Sequence, residues 1–152
     1  MRNILSEFAK NGTLLMAVLS WMAAQIIKVI AEFRRSKKIR PVLFFSSGGM
    51  PSSHTAFVMA MAVSVGLLEG FGGTLFAVSA VVSLVVMYDA AGVRRAAGNQ
   101  AAAINKLIEH LENPDITLDK KLKELLGHSP LEVAAGALLG IIIAVFGYYF
   151  IF

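Results

Sequence analysis

Gly48-Gly49-Met50-Pro51-Ser52-Ser53-His54-Thr55 runs straight into an apolar stretch, and that junction decides how the rest of the chain is read. The two glycines allow backbone shapes that other residues resist, and Pro51 presets φ for a helix start. Ser52 and Ser53 are both able to cap such a helix, leaving free N–H groups and a partial positive charge at its end. A helix end of that kind attracts anions, phosphate above all. His54 falls in the first turn, where a titratable imidazole would meet a bound anion. Alone, the stretch is equally well a capped helix with an incidental histidine, so the surrounding sequence has to decide.

Those surroundings are apolar. The 152-residue chain is 57% hydrophobic and only 16% charged, which places it among membrane proteins. Its length suits one domain, 1–152. Four apolar segments lie at about 12–33, 55–69, 72–88 and 131–152. A spanning helix wants about 20 such residues, so the second and third are short. The expected fold is an all-α polytopic membrane helix bundle of about four transmembrane helices. The first segment carries Gln25 and Lys28 and lacks a small-residue cleavage pattern, so it reads as part of the mature protein. Gly66-x-x-x-Gly70 and Gly136-x-x-x-Gly140 let helices approach closely, within the chain by preference or in a homo-oligomer.

Two polar regions separate these segments. Residues 34–40 carry five positive charges and no acid. The connection over 89–130 shows short amphipathic helices. Over 95–111, Ala97, Ala101, Ile104, Ile108 and Leu111 recur at helical spacing, against Asn105, Lys106, Glu109 and Glu112. Pro114-Asp115 breaks that run, and a second short helix is expected from about Thr117, with Leu118, Leu122 and Leu125 on one side and Gly127 as its stop. With four spans, both polar regions share one side of the membrane. That side holds twelve of the fourteen Lys and Arg residues, which by the positive-inside rule is the cytoplasm. The chain has no cysteine, so disulfides and thiolate metal sites are excluded. The net charge of +4 suits an anionic membrane surface. The basic residues crowd around apolar spans with few aromatics among them, which argues against a nucleic-acid partner.

The same arrangement gathers Lys28, Arg35, His54, Asp89, Arg94, Arg95 and His128 at one face. Lys28 lies inside an apolar span, where a cation is costly and usually functional, and Arg35 is seven residues on, about two helical turns. Asp89 sits just ahead of Arg94 and Arg95, whose planar forks suit phosphate oxygens, and is placed to hold them. With no second carboxylate nearby, Asp89 makes a poor metal site. Ser129-x-x-Glu132 is a capping box with Pro130 at the favoured first position. Glu132 is also four residues after His128, close enough to orient its ring. His110 falls on a polar helix face, where solvation accounts for it.

These residues carry a resemblance. They are similar to the type 2 phosphatidic-acid phosphatase superfamily, related to vanadium haloperoxidases, and in particular to its short, divergent bacterial branch. The superfamily pattern is Lys-x6-Arg-Pro, then Pro-Ser-Gly-His, then Ser-Arg-x5-His-x3-Asp. Lys28 and Arg35 keep the first spacing, with Ser36 in place of proline. Pro51-Ser52-Ser53-His54 keeps the second with Ser53 for glycine, and His128 and Glu132 keep the His-x3-acid spacing of the third. The arginine of the third part is displaced: Arg94 and Arg95 lie some thirty residues ahead of His128 rather than six. Gly-Gly-Met-Pro-Ser-Ser-His and Asp-Ala-Ala-Gly-Val-Arg-Arg resemble the branch's own signatures.

The resemblance implies hydrolysis of a phosphomonoester through a phosphohistidine, with no metal or other cofactor. His128 would be the nucleophile, Glu132 its orienting partner, and His54 the general acid. Lys28, Arg35 and Arg94 or Arg95, with the backbone N–H groups of Ser52 and Ser53, would bind the phosphoryl group, with Asp89, Gly49 and Pro51 as structural support. The implied substrate is a lipid phosphate reached from the bilayer, such as phosphatidylglycerophosphate or phosphatidate, at a cytoplasm-facing site in the cell's inner (plasma) membrane. The alternative is a non-catalytic lipid-phosphate-binding membrane protein or scaffold.

Overall fold

A computed structural model describes residues 7, 10–37, 49–110, 122 and 127–151. The short helix expected from about Thr117, the basic positions 38 and 40, and Gly48 lie outside them, as do the side chains of Glu109 and His110. The helices are α1 (Gly12–Ser36), α2 (Ser53–Glu69), α3 (Thr74–Tyr88), α4 (Arg94–His110) and α5 (Pro130–Phe150). A π-helical turn, Asp89–Val93, joins α3 to α4 without a break. The protein is an all-α membrane bundle. Three stretches are long and apolar enough to cross a membrane (Gly12–Ser36, Thr74–Ile108 and Pro130–Phe150), and α2 is a shorter apolar helix.

Each boundary has a local cause. The Asn11 side chain accepts the Leu14 N–H at 3.0 Å and starts α1. Ser52 starts α2 and Gly70 ends it, at a positive φ of 95° that a side chain would resist. Ser129 and Glu132 form the full capping box of α5, with Pro130 in the first turn, as their spacing requires. The third span does not stop at residue 88 as expected. Asp89 and Gly92 look like a break in sequence, yet Ala90 and Ala91 are strong helix formers and the helix absorbs one extra residue as a π-turn.

The short α2 is the centre of the bundle, packed against α1, α3 and α5. Its buried residues are small: Ser53, Thr55, Ala56, Val58, Ala60, Ala62, Ser64 and Gly66. That lets neighbouring backbones come close, the way helices associate where lipid removes the hydrophobic drive. On α5, a Cβ at Gly140 would lie 2.6 Å from the Ala56 carbonyl oxygen and 2.9 Å from the Ala60 nitrogen, and one at Gly136 would meet the Ser52 carbonyl. So Gly136-x-x-x-Gly140 is an internal seam between α5 and α2. Gly66-x-x-x-Gly70 is not a seam: Gly66 faces the ring of Phe71, and Gly70 is the cap.

Side-chain hydroxyls complete the packing. Ser20 of α1 donates to the Ala56 carbonyl at 3.0 Å, and Ser83 of α3 donates to that of Val58 at 2.8 Å. The large side chains (Ile26, Ile30, Leu75, Val81, Leu84, Val85, Leu138, Phe146) point outward, as a lipid-facing belt requires. On α4 the buried residues are Gly98, Ala101 and Asn105, whereas Ile104 and Leu107 are exposed. The Asn105 amide holds the Leu122 backbone at both its C=O and N–H, 2.9 and 3.1 Å. The polar face expected for Asn105 is therefore corrected: a paired amide takes the inner position that Ile104 was expected to fill.

Candidate active site

The start of α2, the middle of α1, the π-turn and the start of α5 meet at one end of the bundle. Ser52 and Ser53 are fully buried there. The Ser52 hydroxyl accepts from the Thr55 N–H at 3.4 Å and from the Thr55 hydroxyl at 3.0 Å, so Ser52 alone is the cap. Its own N–H donates to the Glu132 carbonyl at 3.0 Å, tying α2 to α5. This corrects the expectation that the Ser52 amide faces a phosphate. The N–H groups of Ser53 and His54 have no acceptor among the described residues, and they are the anion-seeking donors of this helix end.

Lys28 turns inward. It is 6% exposed, and its Nζ donates to the Ser53 hydroxyl at 3.2 Å, within range of the Glu132 charge. Snorkelling is thereby ruled out, since the ammonium ends at the N-terminus of α2. Gly49 has φ +89°, and a Cβ there would make only ordinary contact with the Lys28 stem, 3.9 Å from Cγ, so it is the backbone angle that calls for glycine. Glycine suits that left-handed backbone. Pro51, buried, follows a cis peptide bond with Met50.

His128 is 3% exposed. Its Nδ1 lies 2.9 Å from Glu132 Oε2, an oxygen that also accepts the Ser129 N–H at 3.2 Å. A carboxylate only accepts, so Nδ1 carries the proton of that bond, and a neutral ring then presents its lone pair at Nε2. Nε2 is buried and has no partner among the described residues. His54 is exposed at the rim, close to His128 and near enough to feel the charges of Arg94, Lys28 and Asp89. Two imidazoles from distant parts of the chain thus flank one cation and one helix end.

Arg94 pairs with Asp89 through Nε at 2.7 Å, both partly exposed beside His54. Arg95 and Arg35 are exposed and make no hydrogen bond or ion pair among the described residues. Of the two adjacent arginines, the structure brings Arg94 to the site. Arg35, about 10 Å further along α1 than Lys28, stays outside the bonded cluster. Three contributors were not expected at the site from sequence. Thr55 steadies Ser52, the Ala90 carbonyl accepts the His128 N–H at 3.0 Å, and Gly127 packs on the Arg95 backbone. Among the described residues no three of His, Cys, Asp and Glu come together as a metal site.

The arrangement is that of a membrane protein with an oriented imidazole, a buried cation and open helix-end amides at one end of its bundle. The chain belongs to the Divergent PAP2 family, whose model matches residues 9–143. It is 44% identical over 156 residues to the uncharacterized membrane protein YuiD of Bacillus subtilis (strain 168), across 95% of this chain and 99% of that protein. No solved structure matches the chain.

Proposed function

We infer that residues 1–152 act as one membrane phosphatase domain that hydrolyses a lipid phosphomonoester. The observation that carries this reading is His128: Glu132 accepts the hydrogen bond of its Nδ1–H, and Nε2 is buried with no partner among the described residues. In the first step Nε2 attacks phosphorus, the P–N bond forms and the P–O bond to the lipid alcohol breaks. His54 protonates the leaving oxygen as general acid. In the second step water, deprotonated by His54, attacks the phosphohistidine; the P–N bond breaks and inorganic phosphate leaves. Lys28, Arg94 and the N–H groups of Ser53 and His54 would face the charge that develops on the phosphoryl oxygens, the largest contribution in such chemistry. Phosphatidylglycerophosphate and phosphatidate would suit a site at a bundle end bordered by lipid-facing helices, and the charge asymmetry of the loops supports a cytoplasmic face of the inner membrane for that end.

Purified protein in bilayer discs is expected to release phosphate from one or more lipid phosphates. His128→Ala should abolish turnover, and His54→Ala should slow it by about a hundredfold or more. Equal release by wild type and His128→Ala removes the nucleophile. A second reading, a non-catalytic lipid-phosphate binder, is favoured by the exposure of Arg35 and Arg95, which leaves fewer cations at the phosphoryl position. Acid-labile phosphate trapped on His128 during turnover separates the two, because a binder forms no such adduct.

A further inference from the structure

The turn between α3 and α4 has a bonding pattern with a direct consequence for His128. In a regular α-helix the Arg94 N–H would go to the Ala90 carbonyl. The π-turn sends it to the Asp89 carbonyl instead. The Ala90 carbonyl is then available to the His128 N–H, which donates to it at 3.0 Å. The Asp89 and Arg94 side chains close over the same turn at 2.7 Å, five residues apart, the separation that an i→i+5 turn brings together. Beside this, Gly127 lies so near the Arg95 backbone that a Cβ would collide with its nitrogen and α-carbon. A Cβ on Gly92, within the turn, would meet nothing within 4 Å.

We propose that the π-turn is the seat that aims the His128 ring, with Ala90, Gly127 and the Asp89–Arg94 pair as its positioning residues. The one-residue insertion exists to release a backbone carbonyl, and that carbonyl fixes the main chain of His128. Glu132 then has only the ring rotation left to set. The effect of the seat on turnover rests on His128 being the nucleophile; the seat itself does not.

The test combines amide exchange at His128 with kinetics, on the full chain in bilayer discs, using orthovanadate as the probe of the anion pocket. Gly127→Ala is expected to speed His128 amide exchange by about tenfold or more and to lower kcat by a similar factor, with vanadate inhibition little changed. Gly92→Ala should match wild type in all three. Asp89→Asn adds no volume and should loosen the same amide. The exchanged pair, D89R with R94D, should restore its protection without restoring turnover, since position 94 then lacks its cation. His128 protection unchanged in both Gly127→Ala and Asp89→Asn overturns the seat. So does vanadate affinity falling in step with kcat in Gly127→Ala, because the glycine then serves the anion pocket. Should wild type release no phosphate at all, the phosphatase reading fails, while amide protection still decides the seat.

Discussion

Lys28 is held in a surrounding that stability alone would not select. The residue is 6% exposed, and among the described residues its ammonium donates to the Ser53 hydroxyl. A cation buried within an apolar bundle is seldom worth its desolvation, whereas the proposed phosphate site would require one. Lys28→Met keeps the apolar stem and removes the charge. It is expected to abolish phosphate release while leaving thermal stability unchanged or raised by about 1–3 kcal/mol. A variant that unfolds more readily than wild type would make Lys28 a structural anchor instead. At this scale, what sequence could show was local. Four residues across the N-terminal cap of α5 bring Glu132 to His128, and that pair could be read from spacing. Lys28 and Arg35 share a helix face, but two turns of rise separate them, so spacing named both and the bonded cluster holds one. The Ser52 amide and the Ala90 carbonyl are engaged by residues far along the chain, and such backbone pairings leave no trace in residue type.

Between elements, the close approach of α5 to α2 joins packing to the site. Gly136 lies against the Ser52 carbonyl, one residue from the hydroxyl that receives Lys28, and Gly140 lies against Ala56 and Ala60. Gly136→Ala must push these helices apart and is expected to cost about 1–3 kcal/mol while slowing phosphate release. Gly72→Ala, where a Cβ would meet nothing within 4 Å, should leave stability and rate as they are. Equal effects from the two, measured by thermal unfolding in the same detergent, would deny that the seam positions α2. The helices themselves were largely legible, because apolar runs and caps are properties of neighbouring residues. The continuity of α3 with α4 was not. A π-turn is one added residue within a helix, and Asp89 and Gly92 resemble a boundary until the tertiary partner of Ala90 is known.

For the whole molecule, the bundle has two unlike ends. One carries the imidazoles, Lys28 and the last turn of α1; the other carries the turn from Gly70 to Gly73 between α2 and α3. Single cysteines at Ser36 and Gly72 should therefore react with an impermeant reagent from opposite sides of the membrane. In intact cells, labelling at Gly72 and shielding at Ser36 is expected. Labelling of both from one side would contradict the bundle, and the reverse pattern would place the site outside.

The brevity of α2 adds one more dependence. Its 17 residues rise about 26 Å, less than the roughly 30 Å hydrocarbon thickness of a typical bilayer. Because its first turn holds the helix-end amides, the membrane has to pinch inward around them or leave them sunk beneath the headgroup plane, at a modest cost per ångström of mismatch. Local thinning would draw lipid phosphates down to Lys28. Acyl length would then act as a rheostat: turnover should climb in discs made from shorter-chain lipids and sag in longer ones. An identical rate at every chain length would mean that the bilayer does not deform around this helix.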